Sequence, residues 1–391
     1  MVVGTVVALV AAYLFQLVAG RVLGPTALAP ITVLWTIQFL VFTTVFMPME
    51  QLTVRRLSLD VPHAAPWTLY LSVIGASILG SVAFAAVTLD QLFEGEALYL
   101  AIVAALIAGY GVFALGRGYL AGRRRFREYG FSTFAESVLR LVLAVILLAA
   151  GVGALGLGWT LVAGPLVVFL WRPFRGERRR EAGAEREQRT VSTLATFVTA
   201  NAASQTILAA GPLVVGGLGA SPADVSVFFQ TFLLFRSPLT LAYNLISRVL
   251  PPFTRLVEEG DLGSVRRWAL RLAVGTAGLS AAGYAAGGAV GPAFVELLLG
   301  AEFRPTGGLA AYAAGGVVLA TMALFVQQML IAMRATGRLA AAWLTGLLVA
   351  TLLIVATDGD VSLRVGRAFL AGEATAFAGL VAAVVTFRNG R

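Results

Sequence analysis

Residues 232–244 read FLLFRSPLTLAYN, and Arg236 stands near the middle of an otherwise apolar, helix-length stretch. A guanidinium at the centre of a bilayer costs roughly 2.5–3.5 kcal/mol on insertion scales, so it requires a compensating partner or a wet cavity. Helical spacing places Thr240, Asn244 and Ser247 in line below it, a polar stripe that must face protein or water. Pro238 cannot donate to the carbonyl of Leu234, so a kink is expected there, with a free acceptor within a turn of Arg236. A guanidinium flanked by hydroxyls and amides is suited to phosphate oxygens, which its planar fork binds two at a time.

Three further groups of polar residues fall within apolar runs. Glu136 and Arg140 are four apart with the acid first, the better order for a helical pair; they form a structural ion pair or face a cavity. Asn201 and Gln205 repeat that spacing beside Thr199 and Ser204, where amides tie helices together or offer hydrogen bonds to a polar ligand. Glu373 has no acidic neighbour, and Arg367 lies six residues before it. It is either the structural partner of that arginine or a protonatable coupling group, the same role open to Glu136.

No signature of catalysis accompanies these residues. HExxH, GxSxG in a strand-to-helix setting, Walker A and paired acids near a membrane face are all missing, so no catalytic residue and no ATP-driven pump is expected. The chain has no cysteine, which removes disulfides, thiol nucleophiles and Cys-based zinc sites. Its one histidine, His63, lies in a polar stretch and reads as a solvated loop residue. No metal and no cofactor is expected.

The elements that position these groups are membrane spans. The chain of 391 residues is 59% hydrophobic and only 13% charged, about half the globular share of roughly 25%. Apolar runs of bilayer-crossing length recur at about 2–19, 27–47, 66–88, 95–119, 131–152, 153–172, 191–218, 224–248, 268–291, 307–334, 337–356 and 364–387. The expected fold is therefore an all-α polytopic membrane protein of about twelve transmembrane helices. The joins at Gly153 and at RATG (334–337) carry the least polar punctuation. The first run lacks a basic lead and a small-residue cleavage site, so it is expected to be a span rather than a signal peptide.

The net charge of +9 comes from arginine alone, and the arginines fall mainly between spans, where they report topology rather than nucleic-acid binding. GRRRFREYG (122–130) and RPFRGERRREAGAEREQR (172–189) lie on one side. Asp90, Glu94, Glu96, Asp224, Glu296, Glu302, Asp358 and Asp360 lie on the other, against Arg21, Arg304, Arg364 and Arg367. The arginine-rich side is expected to be cytoplasmic, with both termini there, in the inner (cytoplasmic) cell membrane. Single cysteines introduced at position 221 and within 172–190 should accordingly label from opposite faces, the second only after permeabilisation; labelling of both from outside would refute the span count.

The segment 173–190 is expected to be a charged cytoplasmic linker between an N-terminal six-helix lobe (1–172) and a C-terminal one (191–391). The halves resemble each other: LGPTALAPITVLWTIQFLVFTTVFMPMEQLTVRRL (23–57) corresponds to LGASPADVSVFFQTFLLFRSPLTLAYNLISRVLPPFTRL (218–256), and YLAGRRRFREYG (119–130) to MLIAMRATGRLA (329–340). Six is even, so the lobes share orientation and form two parallel pseudo-symmetric bundles, an arrangement suited to alternating access. Gly283, Gly287 and Gly291 form a small-xxx-small ladder, which marks close helix packing.

AGRVLGPTALAP (19–30), RVLPPFTRLVEEGDLGSVRRW (248–268) and VELLLGAEFRPTGGLAAYAAGG (295–316) are similar to the opening turn, exit segment and outer segment of polysaccharide and O-antigen flippases. These belong to the multidrug/oligosaccharidyl-lipid/polysaccharide (MOP) exporter superfamily. The resemblance covers about 15–340; the chain differs in entering its first span without the usual basic lead-in. It implies a MATE-like pair of lobes around a central cavity, moving a lipid-linked glycan from inner to outer leaflet for surface polysaccharide biosynthesis in the cell envelope.

A polyprenyl-pyrophosphate-linked oligosaccharide needs cationic and amide groups, which Arg236, Arg140, Asn201, Gln205, Thr240 and Asn244 would supply, with Glu136 or Glu373 for coupling. A MATE-type cation or drug antiporter, which needs mid-membrane carboxylates, is the alternative. A glycan polymerase or ligase is disfavoured by the short outer connections. The expected partners are the lipid-linked glycan, the bilayer and neighbouring glycan-assembly enzymes, with the chain as a monomer and no nucleic acid bound.

Overall fold

The computed structural model describes residues 2–58, 67–175, 198 and 201–387. His63, Thr199 and the expected linker from residue 176 onward lie outside them. Among the described residues there is helix and no strand. Among them the twelve expected spans are largely helical, and nine helices are individually long and apolar enough to cross a membrane. The chain is a polytopic helical membrane protein.

Two compact units divide the chain, Met1–Asn201 with Ser221–Ala223, and Ala202–Ala220 with Asp224–Arg391. The first unit opens with α1 (Val2–Val41), which holds two spans joined at Gly24. Gly24 takes φ 72°, in the left-handed region that glycine enters without a Cβ penalty, and Pro25 starts the next helix, where its missing N–H is not needed. A π-helical turn at Phe42–Phe46 leads into α2 (Met47–Ser58). Then follow α3 (Trp67–Val87), the short α4 (Leu89–Phe93), α5 (Leu98–Gly122), α6 (Phe126–Ala149), and α7 (Ala154–Ala163) running into a 3-10 helix at Gly164–Trp171. Gly153 is the N-cap of α7, so the uncertain join between the fifth and sixth spans is a short turn there.

The second unit holds α8 (201–209, from Ala202 on), α9 (Gly211–Gly217), α10 (Pro222–Phe235), α11 (Ser237–Glu258), α12 (Leu262–Leu299), α13 (Gly307–Ala332), α14 (Thr336–Ala356) and α15 (Val361–Val385). Asp261 caps α12 by accepting from the Ser264 amide at 2.9 Å. The uncertain 334–337 join is a turn in which the Ala335 amide donates to Leu330 O at 2.8 Å. The most thoroughly buried span in each unit is its fourth, α5 in the first and α13 in the second. α5 packs against α2, α3, α6 and α7, and α13 against α11, α12, α14 and α15. The core of each unit is thus built around an equivalent helix, which is the structural counterpart of the paired motifs in the sequence.

The glycine ladder lies along α13. A Cβ added at Gly287 would stand 2.5 Å from Ala314 Cβ and 2.7 Å from Ala310 O, and one at Gly291 2.7 Å from Ala310 Cβ. Small residues at four-residue spacing on both helices let the backbones approach, which supplies the van der Waals contact that holds helices together in lipid. Gly287→Ala is expected to overpack this seam, at a cost of about 1–3 kcal/mol read as a lower thermal midpoint in detergent.

Candidate functional site

The second unit contains the arginine on which the sequence reading centred. α10 ends at Phe235 and α11 begins at Ser237; Arg236 between them keeps right-handed helical dihedrals (φ −77°, ψ −4°) and its amide donates to Phe232 O at 3.0 Å, so the two helices are joined through a single residue just before Pro238. Pro238 sits in the first turn of α11, where a missing N–H is tolerated. The carbonyl of Leu234 is not left free, contrary to the sequence expectation: the Ser237 hydroxyl donates to it at 3.0 Å. The neighbouring serine can do this because its side chain folds back onto its own helix end, a local option that proline geometry alone does not reveal.

Arg236 lines a cavity of about 120 Å³ with Thr206, Phe228, Phe232, Ile354 and Phe369, and is the only charged group on its wall among the described residues. The volume admits a few waters or the charged end of a ligand and is well below the roughly 300–1,000 Å³ of a pocket that encloses a whole small molecule. Gln205, next to Thr206 on α8, has a buried Oε1 that accepts no hydrogen bond among the described residues. Asn201 is half-buried on the same helix. The side chains of Thr240, Asn244 and Ser247 lie outside the described ones, although α11 carries these residues.

Glu373 on α15 is completely buried. Neither of its carboxylate oxygens has a hydrogen-bond partner among the described residues. Arg367 is exposed, as helix geometry requires: six residues turn about 240° around the axis, so the two side chains leave α15 on different faces. Phe232 and Phe369, one turn before Arg236 and Glu373 respectively, meet edge to face at 4.9 Å.

In the first unit, Glu136 and Arg140 form the expected ion pair at 3.0 Å, with side chains 7% and 5% exposed. It is part of a closed network. Tyr110 donates to Glu136 Oε1 at 2.6 Å, Ser137 donates to Oε2 at 2.8 Å, and Arg140 donates to Tyr110 at 3.0 Å. The Arg140 guanidinium lies 4.2 Å from the Trp35 ring centroid and 5.5 Å from that of Phe15.

A second buried cluster was not anticipated from the sequence. Arg117 pairs with Glu50 at 3.4 Å, Tyr129 donates to Glu50 at 3.0 Å, and Arg117 donates to Tyr129 while its guanidinium stands 4.5 Å from that ring. The two clusters are rungs of one ladder. Tyr110 and Arg117 are seven apart on α5, Tyr129 and Glu136 seven apart on α6, and two turns return to nearly the same helix face. Phe42 lies between the rungs, its ring 5.8 Å from Tyr110 and 5.9 Å from the Arg117 guanidinium. It is the first residue of the π-helical turn, whose Thr43 and Thr44 hydroxyls bond back to Phe39 O and Leu40 O at 2.8 and 2.6 Å. The signal available in the sequence was the matched seven-residue spacing on two consecutive spans.

No family model matches the chain. Uncharacterized protein Rv3630 of Mycobacterium tuberculosis is 27% identical over 345 residues, covering 82% of this chain and 77% of its own length. Uncharacterized protein Rv1510 of the same organism is 26% identical over 277 residues, 68% of this chain and 62% of its own. Among solved structures, an inward-facing multidrug resistance MATE family transporter of the MOP superfamily superposes with a TM-score of 0.69 at 15% identity, over 95% of both chains. The lipid II flippase MurJ in an inward closed conformation gives 0.69 at 10% identity, over 99% of this chain and 88% of its own. A eukaryotic MATE transporter gives 0.64 at 14% identity, over 98% and 94%. The fold of this chain is that of the MATE transporters and of the lipid II flippase.

Proposed function

We propose that the chain is a MOP-type membrane carrier that moves a polyprenyl-pyrophosphate-linked oligosaccharide from the inner to the outer leaflet by alternating access. The observation that carries the reading is Arg236: a guanidinium at the junction of α10 and α11 that lines a small cavity and is the one charged group on its wall among the described residues. A desolvated guanidinium binds an oxyanion in a charge-assisted, bidentate manner. The cavity is large enough for the phosphate end alone, so the glycan and the prenyl chain lie outside it. Thr206 lines the same cavity as the anchor, and in this reading Gln205, its neighbour in the chain with a buried acceptor unsatisfied among the described residues, serves as a further hydrogen-bonding group. Asn201, Thr240 and Asn244 extend the polar lining in this reading.

Glu136 and Arg140 take a different part in the proposal. Each is engaged by neighbours within its own unit and neither is exposed, so the pair holds α6 to α5 and α1 instead of meeting substrate. The fold shared with the lipid II flippase is compatible with a lipid-linked substrate for this chain, and the fold shared with MATE transporters is equally compatible with an antiporter. The buried carboxylate of Glu373 is the feature that favours that second reading, because an antiporter needs an acid at membrane depth.

The two are separated in cells of the native host. Deletion is expected to remove a surface polysaccharide and to leave its lipid-linked oligosaccharide on the inner leaflet. An intact surface glycan together with increased sensitivity to cationic drugs would select the antiporter. The cytoplasmic placement of both termini and the inner-membrane location belong to the same proposal.

A further inference from the structure

We propose that Arg124 and Arg172 together bind the phosphate of an anionic phospholipid, at the end of the first unit where α5, α6 and the 3-10 helix at Gly164–Trp171 leave the membrane. The site is built from the first unit alone and does not depend on Arg236 or on the identity of the transported substrate.

The sequence separates the arginine run 123–125 from the exit segment 172–175 by two whole spans, and the structure joins them. The Arg123 guanidinium donates to Pro173 O at 3.3 Å and to Arg175 O at 2.8 Å. The Arg125 guanidinium donates to Trp171 O at 3.0 Å. Residue 123 therefore faces 173 while 125 faces 171, a reversed register whose centre sets Arg124 opposite Arg172. Both of these central arginines are exposed. Glu128, the acid of this turn, is taken by Arg125, and neither the Arg124 nor the Arg172 guanidinium has a hydrogen-bond or ion-pair partner among the described residues.

The backbone holds both residues at a cost. Arg124 takes φ 60° and Arg172 φ 45°, the left-handed region that a Cβ disfavours and in which glycine usually closes a helix. A side chain kept at such a position, twice within one small patch, points to a use for it. Two guanidinium groups opposite each other without a counter-charge also repel. An oxyanion between them removes the repulsion, and each planar fork can engage two of its oxygens.

The position selects the source of that oxyanion. Gly122 ends one helix of membrane-crossing length and composition, Phe126 begins another, and Trp171 ends a third. The site thus lies at the level of the lipid headgroups, just outside the hydrocarbon. Phe126, 50% exposed, and the half-buried Trp171 flank the pair with rings suited to that boundary. Arg127 and Arg175, both exposed, add positive charge around it. Residues 176–190 carry five arginines and four glutamates, so they bring no net negative charge to compensate it. An anionic headgroup supplies what this end of the unit lacks.

Native mass spectrometry of the detergent-purified full chain, titrated with phosphatidylglycerol or with phosphatidylethanolamine of the same acyl chains, tests the assignment. The amine of the second lipid neutralises the same phosphate. Wild type is expected to hold the first phosphatidylglycerol about tenfold more tightly, a difference within reach of charge-assisted hydrogen bonds, and to lose the preference at high salt. The double variant Arg124→Gly with Arg172→Gly is expected to lose the preference too, while its thermal midpoint without lipid holds or rises, because glycine relieves the left-handed backbone. Arg124→Gln with Arg172→Gln leaves the backbone demand in place and is expected to lose the preference equally.

Equal retention of the two lipids by wild type, or a preference that survives in either double variant, would overturn the proposal. Displacement of phosphatidylglycerol by farnesyl pyrophosphate would also overturn it and give the pair to the substrate. A preference that appears only after Glu177, Glu181, Glu185 and Glu187 are changed to Gln would overturn it as well, since the chain's own segment would then be the occupant.

Discussion

Arg236→Ala is expected to reduce surface display of the glycan more than tenfold in the native host while protein abundance in the membrane stays normal. Removing a mid-span guanidinium eases insertion by roughly 2.5–3.5 kcal/mol, so no loss at that stage is expected. Arg236→Lys should recover only part of the activity: an ammonium restores the charge but not the planar fork that engages two phosphate oxygens together. Quantitative glycan staining against an immunoblot of the membrane fraction separates the two effects. Low abundance of Arg236→Ala, restored by a second change of Glu373→Ala, would make the arginine a scaffold element.

The second large effect is one of stability and belongs to the first unit. Glu136→Gln is expected to cost about 3–5 kcal/mol, the range for breaking a buried ion pair, and to lower the thermal midpoint of the detergent-solubilised protein. The direction of the change matters. Arginine does not deprotonate in proteins, so Glu136→Gln strands a cation between Trp35, Phe15 and Tyr110. In Arg140→Met the remaining acid can take up a proton and keep its bonds from Tyr110 and Ser137, so the loss should be smaller. The double variant Glu136→Gln with Arg140→Met should recover most of the stability, because a neutral, well-packed replacement for a buried pair is often tolerated. A shift in Glu136→Gln of less than about 1 kcal/mol, the ceiling for an exposed pair, would show that the cluster is hydrated rather than closed.

The positions of the spans were legible because bilayer thickness imposes a length and an apolar composition on every crossing, and the described residues of the twelve runs are largely helical. The Gly283–Gly287–Gly291 ladder was legible for a similar reason: small residues at four-residue spacing have one use on a membrane helix. Arg236 was conspicuous because its cost in lipid demands an explanation. The form of the explanation was not legible. That Ser237 takes the Leu234 carbonyl depends on a choice between local hydrogen bonds that proline spacing leaves open.

Tertiary pairing was the larger omission. Arg367 is nearer to Glu373 in sequence, yet helix rotation sends it to another face of α15, where it is exposed. The Glu50, Arg117 and Tyr129 cluster joins α2, α5 and α6, and each residue alone reads as a charge or phenol near the end of a span. The π-helical turn at Phe42–Phe46 likewise has no signature in a pattern of period 3.6. It places Phe42 between two ionic rungs, a placement visible only when three helices are seen together.

The most direct measurement of the central claim is transbilayer movement by the purified full chain in proteoliposomes. A fluorescent polyprenyl-pyrophosphate-linked oligosaccharide is followed by its accessibility to an added glycosidase, and a cationic dye is followed in parallel. The account predicts that the lipid-linked glycan crosses at a rate that depends on the protein and is lost in Arg236→Ala, while the dye does not move. Proton-driven transport of the dye with no movement of the glycan would contradict it and assign the chain to cation antiport.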